Sequence, residues 1–151
     1  MKKSKKTLFS SLVLSVAALA LALPASAADQ NYQLWNPANN AVSHASSSVE
    51  GPAVVTGSGG NYTVQIKLKN SGTYMGITLP ASYPSLNVDV DGASAGGDGD
   101  YEVSATRVDS GGYTTFTFSG LSDNTLNVPI ELSTSVLGIH SSTYELVIDW
   151  N

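Results

Sequence analysis

The sequence predicts an all-β domain, an immunoglobulin-like antiparallel β-sandwich of about eight short strands. Three observations carry that prediction. Apolar and polar residues alternate with a period of two, glycine-rich turn signals separate the alternating runs, and no segment holds a helical period long enough to compete. Strands with one apolar face each must bury those faces against one another, and two packed sheets satisfy them all.

The first strand candidate is 32–35, followed by 53–56. The clearest early run is 62–69, where Tyr62, Val64, Ile66 and Leu68 face one way and Thr63, Gln65, Lys67 and Lys69 the other. Runs at 74–79, 86–90, 101–108 and 114–119 are weaker. The chain then closes with a hairpin. Leu126, Val128, Ile130 and Leu132 alternate in one arm, Tyr144, Leu146, Ile148 and Trp150 in the other, with residues 133–142 between them. Turn signals fall at 57–61, 70–72, 91–92, 96–99 and 110–112. Residues 38–51 form the one long stretch without a strand pattern, and long loops in compact domains are often functional.

Residues 1–27 read as an export leader. Lys2, Lys3, Lys5 and Lys6 precede an apolar run from Leu8 to Leu23, and Pro24-Ala25-Ser26-Ala27-Ala28 offers small residues for cleavage after Ala27. One domain, residues 28–151, is then expected to follow, without a second apolar stretch, a cysteine for acylation or a sorting motif. The product is expected to be secreted, released or peripherally held, with no membrane span.

Removing the leader changes the charge. Of seven Lys and Arg residues four lie in the leader, so Lys67, Lys69 and Arg107 stand against all 12 acids, a formal charge of −9. Phosphate backbones and anionic membranes are poor partners for such a surface, and no nucleic-acid contact is expected. The absence of cysteine excludes disulfides and thiolate-held metals.

Catalytic groupings are missing as well. There is no Gly-x-Ser-x-Gly elbow, no Cys–His pair is possible, and no carboxylate pair is marked by its spacing, so the chain reads as a binding protein and not an enzyme. The acidic run Asp89-Val90-Asp91-Gly92 with Asp98-Gly99-Asp100 resembles part of a calcium loop. It departs from the EF-hand pattern and reads as a solvated turn.

The two histidines are more informative. His140 and Tyr144 are four apart, so in an extended segment both side chains leave the same face, which Leu146 and Ile148 continue towards the core. His44 lies in the Ser-rich stretch Ser43-His44-Ala45-Ser46. In a cysteine-free domain these are the natural nitrogen ligands for a metal or a haem.

At this hairpin the sequence resembles the NEAT (near iron transporter) domain family, haem-binding and haem-relaying β-sandwiches of Gram-positive bacteria. The resemblance extends over roughly residues 30–151. It rests on Glu50-Gly51-Pro52-Ala53-Val54-Val55, on the run from Tyr62 to Ser71, on residues 113–118 followed by Gly120-Leu121-Ser122, and on Val128-Pro129-Ile130-Glu131-Leu132 before the final hairpin. In haem-binding members the last strand carries Tyr-x-x-x-Tyr, the first tyrosine ligating iron. Here the matching positions hold His140 and Tyr144. The family's short distal helix carries a propionate-binding serine, often followed by Met-Ala; Ser43, His44 and Ala45 stand there, and Ser48 takes a place often held by an aromatic.

What the resemblance implies is a haemophore-like protein that captures and relays haem for iron acquisition. His140 would be the proximal ligand, His44 a distal ligand or lid, Ser43 a propionate contact and Tyr144 a supporting residue. Val136, Leu137 and Ile139 would supply apolar walls. Two imidazoles would make a bis-histidine, six-coordinate site that accepts ferric and ferrous iron alike. Partners would be haem and haemoproteins or other relay proteins, with the chain a monomer or weak oligomer. Some family members bind no haem and grip host proteins, so a haem-free adhesion module is the alternative, and a calcium- or carbohydrate-binding module a third.

Overall fold

The computed structural model describes residues 26–92 and 97–151. The expected leader, residues 1–27, lies outside them except for Ser26 and Ala27. Among the described residues, thirteen strands and one 3₁₀ helix follow in order. The strands are β1 (Ser26–Gln30), β2 (Tyr32–Asn36), β3 (Ala41–Val42), β4 (Ala53–Ser58), β5 (Asn61–Lys69), β6 (Ser71–Tyr74), β7 (Ile77–Ser82), β8 (Leu86–Val88), β9 (Val103–Ser104), β10 (Thr106–Ser110), β11 (Tyr113–Leu121), β12 (Val128–Val136) and β13 (His140–Trp150). The helix, His44–Ser48, lies between β3 and β4.

These strands form two antiparallel sheets, as the alternation predicts. One has five strands in the order β1-β4-β5-β11-β10. The other has eight, running β3-β2-β13-β12-β7-β6 with β8 paired to β12 and β9 to β8. The longest alternating runs sit at the sheet centres, where both edges of a strand must pair. Inward residues Val64, Ile66 and Leu68 on β5 and Phe116 and Phe118 on β11 meet Leu34, Ile130, Leu132, Leu146 and Ile148 of the facing sheet, all buried. The outward residues of β5 and β11 pair as a polar ladder, with Thr63 and Ser119 hydroxyls 2.7 Å apart.

Three expectations need correction. The run at 74–79 is two strands: Tyr74 pairs with Ile77, and Met75-Gly76 is a tight turn between them. The final hairpin has no long connection. β12 continues to Val136 and β13 begins at His140, leaving a three-residue loop. Residues 38–51, without a strand pattern in the sequence, hold the short β3; the 3₁₀ helix stands where the resemblance implies a short distal helix.

β1 was hidden by the leader reading. It pairs with β4 from Ser26 opposite Gly57 to Gln30 opposite Ala53. Cleavage after Ala27 would remove its first two pairs and leave Ala28–Gln30 in the sheet.

Candidate functional site

The face of the β12–β13 hairpin that supplies Ile130, Leu132, Leu146 and Ile148 to the core does not stop where the core stops. The same parity continues through Thr134 and Val136 on β12 and through Tyr144, Ser142 and His140 on β13, pairing Thr134 with Ser142 and Val136 with His140. No residue of the five-stranded sheet lines this end. The inward face of the hairpin becomes the floor of a cavity, and residues of that parity pass from buried to exposed along β13.

The cavity has a volume of about 630 Å³, within the range of small-molecule and cofactor sites. One wall comes from the β2–β3 turn, β3 and the helix, through Asn36, Asn39, Ala41, Val42, Ser43, His44 and Ala45. The other comes from the β6–β7 hairpin through Tyr74, Met75 and Leu79, with Leu137 at the β12–β13 tip. No carboxylate, lysine or arginine lines it.

Local contacts fix the helix wall. Ser43 is the N-cap, and its hydroxyl accepts from the Ala45 N–H at 3.3 Å. The Leu34 N–H donates to Ser46 Oγ at 2.6 Å, tying the helix to β2. Its far end is anchored by Ser48, fully buried, whose hydroxyl donates to the Ser71 carbonyl at 2.7 Å and accepts from the Tyr83 hydroxyl at 2.5 Å. The small Ser48 leaves room for the Tyr83 ring. It also lets β6 approach: a Cβ on Gly72 would lie 2.8 Å from Ser48 Oγ. Burial pushes both the Tyr83 and the Tyr74 phenols above their ordinary range, which keeps them neutral donors.

Of the six binding residues expected from sequence, Ser43, His44, Val136, His140 and Tyr144 line this one cavity. Ile139 does not. It follows two left-handed residues, and its side chain is 81% exposed. Sequence reasoning missed the β6–β7 wall, because Tyr74 and Met75 read as the start of a single strand, and missed Asn36 and Asn39 in a turn without a ligand motif.

The three cations of the expected mature domain sit elsewhere. Lys69 pairs with Glu50 at 2.8 Å, Arg107 with Asp109 at 2.5 Å, and the Lys67 ammonium lies 4.4 Å from the Tyr113 ring centre. All three belong to the five-stranded sheet. None of them lines the cavity.

At a separate place, carboxylates of Asp89, Asp91, Asp98 and Glu102 come within 4.8 Å of one another. Asp100 is not among them. Buried Asp89 accepts from the Gly92 and Asp98 N–H groups, whereas Asp91 is held above its ordinary range by the charge of Glu102 beside it. Among the described residues no helix is long and apolar enough to cross a membrane.

No family model matches the sequence, and no curated protein matches it. Solved structures do match its shape. The fifth NEAT domain of IsdX2, a B. anthracis hemophore solved in complex with heme, aligns with a TM-score of 0.61 at 13% identity, covering 84% of this chain and 96% of that one. A single-substitution variant of that domain, also with heme, aligns with a TM-score of 0.62 at 14% identity, over 85% and 97%. At these identities the likeness is one of fold: the chain forms a NEAT-like sandwich.

Proposed function

We propose that this domain binds haem in the cavity between the 3₁₀ helix and the two hairpin tips, with His140 as iron ligand and His44 as the ligand or lid opposite. One observation carries the reading. Both histidines of the chain, about a hundred residues apart in sequence, line one cavity of a NEAT-like sandwich. The likeness to haem-bound domains supports it, as does the donor set.

That set fits the cofactor. A porphyrin needs apolar walls, a ligand for its iron and polar partners at one edge. Val42, Ala45, Leu79, Val136 and Leu137 offer the walls, and the Asn36 and Asn39 amides the polar edge. Haem brings an iron that takes neutral imidazole in either oxidation state. His140 opens β13 opposite Val136 of β12, and that pairing sets the face from which its ring projects. Ser43 is a propionate partner only insofar as its second lone pair and its proton remain free of the cap.

The reading is of a carrier, secreted after removal of residues 1–27, that captures haem and hands it on. The domain would run from residue 28 to 151. A haem-free protein-binding module is the second reading, favoured by the exposed apolar residues Met75, Ile77 and Ile139. Titration with haemin separates the two. The carrier reading expects saturable one-to-one binding at micromolar protein, with a sharp low-spin Soret band that His140→Ala abolishes or shifts. Absence of binding, or an unchanged spectrum in that variant, would refute it.

A further inference from the structure

Among the described residues, three that are not glycine have a positive φ: Asn40 at 48°, Met75 at 51° and Leu137 at 56°. Asn40 needs no special account. Its short amide tolerates the left-handed region, and it closes an ordinary turn. Met75 and Leu137 are different. Both stand at the first central position of a tight turn, each followed by a glycine of positive φ, Gly76 at 80° and Gly138 at 70°. Two consecutive left-handed residues make a type I′ turn, for which Asn-Gly or Asp-Gly is the natural choice. The chain has instead placed a long apolar side chain at that position twice.

β7 and β12 pair antiparallel, Val136 lies opposite Ala81, and the Leu137 N–H donates to the Pro80 carbonyl at 3.0 Å, so both tips project from the same end of the sheet. Both residues line the cavity, yet neither is buried: Met75 is 95% exposed and Leu137 52%. Burial therefore does not explain an unfavourable backbone. Strain without a packing return marks residues retained for something they contact only part of the time.

We propose that Met75 is a ligand-gripping residue of this cavity, kept in a left-handed turn at the expense of the free domain's stability, with Leu137 held the same way on the adjoining hairpin. The inference rests on the haem reading and adds the β6–β7 tip to the site. Methionine suits the role, because its unbranched thioether side chain folds over a flat apolar ligand in several ways. The grip is apolar cover, not iron ligation.

Met75→Asn and Leu137→Asn test it, with Met75→Gly as a second variant and Met75→Leu as the conservative one. Two readings are taken on the full chain: the melting temperature without ligand, and the rate at which bound haemin passes to excess apomyoglobin. The Asn and Gly variants are expected to melt about 2–5 °C higher and to release haemin at least about fivefold faster, a change in residence rather than capture. Met75→Leu is expected to keep the slow release without the gain in melting temperature. An unchanged release rate in Met75→Asn and Met75→Gly overturns the grip alone, and a lower melting temperature in both overturns the strain. A wild-type domain that takes up no haemin overturns the haem reading and the grip with it.

Discussion

The His44 imidazole meets the Tyr74 ring edge to face, with ring centres 6.3 Å apart and planes at 84°. This contact joins the helix wall of the cavity to the β6–β7 wall and restrains the one histidine that is not carried on a long strand. Such a pair contributes about 0.5–1.5 kcal/mol beyond the area it buries. Tyr74→Phe retains the ring and is expected to leave haemin binding within about twofold of wild type. Tyr74→Ala removes the restraint and is expected to cost about tenfold in affinity, near the upper end of that range. Parallel haemin titrations of the two variants check the order.

His44 itself is tested by coordination. His44→Ala is expected to convert a six-coordinate low-spin ferric spectrum into a five-coordinate high-spin one, while the protein still binds haemin through His140. Visible spectroscopy at saturating haemin reads this directly. An identical spectrum removes His44 from the iron.

Haemin should bind here without help from salt-sensitive charge. All three cations of the expected mature domain lie on the five-stranded sheet and are engaged by Glu50, Asp109 or the Tyr113 ring, so the acidic ligand meets only amides and hydroxyls. Raising ionic strength from about 0.05 to 0.5 M shortens the screening length roughly threefold. The expected change in haemin Kd over that range is less than about threefold, and haemin dimethyl ester should bind comparably.

The anchor of the helix predicts an order of stabilities. Tyr83→Phe removes one donor to Ser48 and leaves the Ser48–Ser71 bond in place, a loss of about 1 kcal/mol. Ser48→Ala strands both the buried Tyr83 hydroxyl and the Ser71 carbonyl, for about 2–3 kcal/mol. Urea unfolding of the two variants is expected to rank them so.

Asp91 gives a prediction on pH. Its carboxyl is raised above the ordinary 3.8 chiefly by repulsion from Glu102, so the folded state holds that proton more tightly than the unfolded one. Stability from this group is therefore present at low pH and lost as pH rises from 3.8 through the raised value. Asp91→Asn is expected to flatten that part of the stability profile and to raise the melting temperature slightly at pH 7, less so in high salt.

The parts of the fold legible in sequence are those whose two faces differ in polarity. β5 alternates because one side meets the core and the other water. The site lies where that reason lapses. Residues 133–136, Ser-Thr-Ser-Val, continue β12 past the core to floor the cavity, and a strand that covers no core has no need of apolar alternation. They read as loop. Met75-Gly76 was invisible for a related reason, since methionine is not a turn residue. His140 and Tyr144 were legible because their spacing fixes them on one strand face, and their joint placement in the cavity follows from the pairing of Val136 with His140.

Electron paramagnetic resonance of the ferric haemin complex separates nitrogen from phenolate ligation of the iron. The account predicts a low-spin signal in the wild-type domain that gives way to a high-spin one in His44→Ala and is lost in His140→Ala. A high-spin wild-type signal that survives His140→Ala and disappears in Tyr144→Phe would contradict it.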